Sequence, residues 1–107
     1  MTGFSLGKLA IVKRGKHVGV PCVVVGKDSK DGRWLVVDGN LMPVIRPKRK
    51  NPRHLRQTRL VLKEVAQRIT EGKMLDNGWL RAQLLSASVT EELLFKEAEE
   101  TAWRKMM

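Results

Sequence analysis

An α+β fold, a small β-barrel followed by a helical segment, is what this 107-residue sequence predicts. Three observations carry it. Residues 8–46 are short β-branched runs broken by glycine or charge, the pattern of small antiparallel strands. From residue 62 onward the apolar residues switch to helical spacing. Between the two lies a basic tract punctuated by proline. The expected organisation is a barrel over 1–47, a basic linker over 48–58 and a helical extension over 59–107. A chain this long holds one ordinary domain, or a very small one with an appended helical piece.

Four strands are expected, at Lys8–Lys13, Val20–Lys27, Arg33–Asp38 and Leu41–Arg46. Lys27 to Gly32 is a polar loop between the second and third strands. Asp38-Gly39-Asn40 makes a tight hairpin connection, because Gly and Asn tolerate the positive φ such turns need. Pro21 and Pro43 fall near strand starts, where a missing N–H is tolerated at an edge or bulge. Such a barrel buries little apolar surface and gains from packing against the rest of the chain.

The C-terminal half reads as helical. Leu62, Val65, Ala66 and Ile69 recur at i, i+3, i+4, i+7, the spacing of one helix face, and Gly72 provides a C-terminal stop. Asp76-Asn77-Gly78 marks a turn before a short helix over Trp79–Leu85. Ser88 and Glu91 have capping-box spacing, which opens a last helix over Val89–Lys105. Trp34 and Phe4 are expected to complete the barrel core, and Trp79, Phe95 and Trp103 to pack on helix faces. Cys22, the single cysteine, sits in an apolar run and reads as a small buried core residue, so no intrachain disulfide forms.

Charge is the most informative total. The chain carries 21 Lys and Arg against 11 Asp and Glu, a net +10. Residues 1–50 hold net +8 and residues 51–107 only +2. A polyanionic partner is implied by that excess. No apolar run approaches the roughly 20 residues that cross a bilayer, and no secretory leader is recognisable, so a cytoplasmic location and no membrane partner are expected. Catalysis finds no support: two histidines and no acid–base pair, triad or phosphate-cradling glycine loop argue against an enzyme, and no cofactor or metal is expected.

Gly15 and Gly19 bound the connection G-K-H-V-G between the first two strands. Two glycines there let the backbone turn sharply and keep a ligand's approach clear, with Lys13, Arg14, Lys16 and His17 around them. The same residues also satisfy a plain reading, in which the glycines meet turn geometry and the lysines solvate a strand edge. The stretch FSLGKLAIVKRGKHVG at Phe4–Gly19, the valine strand after it and WLVVDGN at Trp34–Asn40 resemble the KOW motif of ribosomal proteins and transcription elongation factors. They are especially similar to bacterial KOW-domain RNA-binding proteins related to certain archaeal and eukaryotic large-subunit ribosomal proteins. The resemblance spans Phe4 to Lys50. It implies an SH3-like barrel, RNA binding and a contact surface at Gly15–Gly19.

The tract RPKRKNPRHLRQTR, residues 46–59, contains seven Lys or Arg and no acid. Repulsion among these charges is relieved by an anion, and the two prolines lower the entropy lost on ordering; a solvated tether is the competing reading. The expected RNA-binding set is Lys13, Arg14, Gly15, Lys16, His17 and Gly19 from the loop, with Arg46, Lys48, Arg49, Lys50, Arg53 and Arg56 from the tract. His54 is read as a neutral spacer. The expected function is non-enzymatic binding of RNA, ribosomal RNA or a ribosomal particle in particular, through backbone contacts. The alternative is an adaptor of the ribosome or transcription machinery that docks a protein partner on its C-terminal helices.

Overall fold

Residues 4–89 are described by the computed structural model. Five strands, β1 (Lys8–Val12), β2 (Pro21–Lys27), β3 (Trp34–Val37), β4 (Lys48–Lys50) and β5 (Leu55–Val61), form one sheet in the order β4-β3-β2-β1-β5. Every neighbouring pair is antiparallel. Two helices come after them, α1 (Lys63–Thr70) and α2 over 77–89. The α+β class is therefore as expected.

The sheet curls, but it does not close. β4 and β5 are its opposite edges, and a flat sheet of five strands would hold them roughly 19 Å apart at about 4.8 Å per step. Only residues 51–54 join them, and Pro52–His54 form a 3-10 turn. That turn rises only about 2 Å per residue, so the edges must bend toward each other. Leu55 at the start of β5 accordingly shares a buried cluster with Trp34 and Val36 of β3. Irregular register between Lys8 and Ala10 and between Val24 and Gly26 marks bulges, which sharpen local twist. No ladder links β4 to β5, so the expected barrel is present as an open curled sheet.

Period-two alternation sends neighbouring residues of the central strands to opposite faces, and both faces are buried. Ala10, Val12, Cys22, Val24, Trp34 and Val36 line one face, closed by Met42 and Leu55. Leu9, Val23 and Val37 line the other beneath Val65 of α1 and Leu80, Leu84 and Ala87 of α2. This is why Val23 to Val25 reads as an unbroken apolar run. The helices thus share a core with the sheet rather than hanging from it.

Two expectations are corrected. Leu41–Arg46 is a turn, not a strand. The Asp38 carboxylate accepts from Asn40 N at 2.8 Å and Met42 N at 2.7 Å, which folds the chain back and drives the fully buried Met42 into the core. Val44 N then donates to Asn77 Oδ1 at 3.0 Å, and Pro43 and Pro47 have no N–H for a ladder. Gly39, at φ +80°, seats this turn on α2, where an added Cβ would stand 2.5 Å from the Asn77 carbonyl oxygen. The second correction concerns residues 48–58, which are not a linker. They supply β4, the 3-10 turn and the start of β5. Edge strands are held by backbone hydrogen bonds while their charged side chains point to water, so no apolar pattern announced them. On β5 the signal is confined to buried Leu55 and Thr58, whose hydroxyl donates to Leu9 O at 2.7 Å.

The helical half is closer to expectation. α1 buries Val65, and Gly72 lies just beyond it at φ +72°. Asp76 caps α2 by accepting from Trp79 N at 2.9 Å, and the Arg68 guanidinium lies over the Trp79 ring at 4.0 Å, joining the two helices. Ser88, expected as a cap, is instead inside α2. The expected helix over 89–105, with Phe95 and Trp103, lies outside the described residues except for Val89. Trp34 is buried, whereas Phe4 stays at the rim, edge-on to Trp34 with ring centroids 5.9 Å apart.

Truncating Leu80 to Ala removes a fully buried side chain from the helix–sheet core. It is expected to cost about 2–5 kcal/mol in chemical denaturation, with sheet and helices unfolding together; an unchanged midpoint would mean the helices are only appended. Burial pushes the Cys22 thiol up to about 12, with Asp38 adding to the rise and Lys50 opposing it. The native protein should therefore resist thiol alkylation at pH 8 and react once denatured. The unfolded chain regains a thiol of 9.0 and loses its proton first, so stability from this group is full below pH 9 and declines from there toward pH 12.

Candidate functional site

Where the curl of the sheet brings the β1–β2 turn beside the end of β4, three separate pieces of chain converge. The β1–β2 loop contributes Arg14 and Gly15, the β2–β3 loop contributes Arg33, and the stretch from β4 into the 3-10 turn contributes Arg49, Lys50, Asn51 and His54. Together they line an open concavity of about 370 Å³. Four cations face one hollow.

Local geometry explains the convergence. Gly15 and Gly19 adopt φ +102° and +87°, conformations that L side chains rarely take, and between them the loop is pinned by Gly19 N donating to Val12 O at 2.8 Å and Val20 N to His17 O at 3.0 Å. Lys13 N donates to His54 O at 2.7 Å, which ties the loop to the 3-10 turn. Asn51 caps that turn through its side chain, accepting from Arg53 N at 3.0 Å. Gly15 lies beside the ammonium of Lys50, since a Cβ built on it would be in ordinary contact with Lys50 Nζ at 3.7 Å, so its positive φ and not crowding favours glycine there.

The electrostatics are one-sided. Arg49 Nε meets Asp28 Oδ2 at 3.2 Å and Arg33 Nε meets Asp31 Oδ2 at 3.7 Å. Asp28 Oδ1 is also held by Lys30 N at 2.8 Å, which fixes the carboxylate that orients Arg49. Arg14, Lys48 and Lys50 make no ion pair among the described residues. A concavity with this lining is suited to bind an anion through charge-assisted hydrogen bonds. No group of three metal-ligating side chains occurs among the described residues, and none of the described helices is long and apolar enough to cross a membrane.

Of the expected residues, Arg14, Gly15, Arg49 and Lys50 are brought together at the hollow. Lys13, Lys16 and Gly19 are exposed on the same loop, where His17 is half-buried. Arg53 is exposed on the 3-10 turn, and Arg46 and Lys48 are exposed just before and within β4. Arg56 lies on β5 opposite Ile11, away from the concavity's lining. The helices pack on a sheet face and leave the glycine-bounded turn open to solvent. Arg33, Asn51 and His54 line the same concavity and Asp28 pairs with Arg49, though none of the four is in the expected set. Nothing in their local sequence marks them: antiparallel pairing sets the β2–β3 loop at the far end of β2 from the β1–β2 loop, and only the curl of the sheet brings the two to one concavity. The lysines and arginine of β4 also suit the duty of guarding a sheet edge, and that role is compatible with anion contact.

No protein-family model matches this chain, and no curated protein matches it.

Replacing Asp28 with Asn removes the carboxylate beside Arg49 while keeping a side-chain oxygen for Lys30 N. The variant should elute from a heparin column at higher salt than the parent, with stability lowered by no more than about 1 kcal/mol because the pair is partly exposed. Elution at lower salt would show that Asp28 orients Arg49 more than it neutralises it.

Proposed function

We propose that this chain is a non-enzymatic RNA-binding protein whose target is folded RNA, ribosomal RNA or a ribosomal particle above all. The single observation that carries this reading is the meeting of Arg14, Arg33, Arg49 and Lys50 around an open hollow beside the glycine-bounded loop. Lys13, Lys16, Lys48 and Arg53 extend the positive surface around it. Phosphate and sugar contacts supply affinity, and the shape of the folded RNA supplies preference, as is usual when RNA is gripped through its backbone. The resemblance of Phe4 to Lys50 to KOW-domain proteins points the same way. The finer fold we propose is an SH3-like barrel: short antiparallel strands, two bulges and edges joined by residues 51–54 support it.

A protein adaptor is the second reading, favoured by Leu85 and Val89, which are 70% and 53% exposed on α2. Alanine at Lys48, Arg49 and Lys50 separates the two. If about five cations touch phosphates, log affinity falls with log salt at a slope of about −4. The triple variant is expected to weaken binding to folded ribosomal RNA fragments and to flatten that slope by about 2 to 3, measured by fluorescence anisotropy across a salt series. An adaptor would lose nothing. Unchanged RNA affinity would remove β4 from the interface.

A further inference from the structure

The hollow has a size and a lining that a plain phosphate-gripping surface does not require. Its roughly 370 Å³ falls within the range of about 300–1,000 Å³ typical of small-molecule sites. Arg14, Arg33, Arg49 and Lys50 surround a concavity whose wall also holds Asn51 and His54, so cations and planar or amide groups share one site.

Stacking opportunities are equally local. Single-stranded nucleic acid is usually held on a row of aromatic faces. Among the described residues no such row exists: Trp34 is buried, Phe4 is turned edge-on to it, and Trp79 lies beneath Arg68. The planar groups on offer at the hollow are the His54 imidazole and the guanidinium groups of its arginines, either of which stacks on an unpaired base. Polar recognition is present too. Asn51 uses Oδ1 to cap the 3-10 turn, and its amide nitrogen has no partner among the described residues, so it remains a donor for a base edge.

The wall is built before any ligand arrives. The main chain at His54 is fixed by His54 N donating to Asn51 O at 2.8 Å and by Lys13 N donating to His54 O at 2.7 Å, and the Arg49 side chain is oriented by Asp28. Such pre-organisation lowers the ordering cost of binding.

We infer that the hollow is a site for one nucleotide extruded from folded RNA, its phosphate on Arg14, Arg49 and Lys50 and its base against His54 and Arg33. This rests on the RNA-binding reading above and adds to it the kind of RNA recognised: a helix interrupted by a bulged nucleotide rather than a continuous duplex or an unstructured strand.

Two RNA hairpins test it, identical except that one carries a single-nucleotide bulge in its stem, titrated into the full chain at fixed salt. The parent is expected to bind the bulged hairpin about tenfold more tightly, the scale of one base stacked on protein. That preference, read as the ratio of the two affinities, should vanish in both Arg33→Ala and His54→Ala, whereas the lost cation in Arg33→Ala weakens binding to both hairpins alike; circular dichroism confirms that each variant is folded. Equal affinity of the parent for the two hairpins would overturn the inference and leave the RNA-binding reading standing. Retention of the preference in both folded variants would also overturn it, since the base would then be read elsewhere. Binding to neither hairpin would defeat both readings together.

Discussion

Everything at the basic end depends on how little chain joins the two edges of the sheet. β4 and β5 are separated by three intervening strands in the sheet, yet only residues 51–54 connect them, most of these in a 3-10 turn. A connection that short forces the sheet to curl. Curling gives the inner face its buried cluster, in which Trp34, Met42 and Leu55 meet from distant parts of the chain. It also carries the cations of β4 toward the β1–β2 loop, where the hydrogen bond from Lys13 N to His54 O locks the two together.

The outer face obeys a complementary constraint. A curled sheet of short strands has an apolar convex side that water would otherwise reach, and Val65, Leu80, Leu84 and Ala87 cover it. Close seating is secured by Gly39, whose missing side chain lets the 38–44 turn lie against Asn77. The fold thereby assigns its regions different tasks. Apolar helix faces are consumed in stabilising the sheet, and the concentration of positive charge is left at the end they do not cover. Asp38, an acid that would oppose that charge, is engaged by the backbone of Asn40 and Met42.

Much of the central architecture was legible because burial on both faces of β1, β2 and β3 leaves a strong apolar signature, and because Leu62, Val65 and Ile69 keep helical spacing. The glycine-bounded loop was legible too, since positive φ at Gly15 and Gly19 is a local demand. β4 and most of β5 were hidden for the opposite reason. Lys48 and Arg49 take part through their backbones, and their side chains advertise solvent or a ligand rather than a strand. The turn at 41–46 was misread because its apolar residues suggest a strand, whereas the Asp38 carboxylate and two prolines determine its path. Arg33 and Asn51 join the hollow through the curl of the sheet, which no local pattern encodes.

The central claim is that curling assembles separate segments into one binding surface at one end of the molecule. Backbone amide chemical shifts tracked by NMR during titration with a folded ribosomal RNA fragment test it most directly. The account predicts that residues 13–19, 33 and 48–54 shift together along one saturation curve while α1 and α2 stay still. Shifts centred on the helices, or loop and β4 residues that respond at different RNA concentrations, would contradict it.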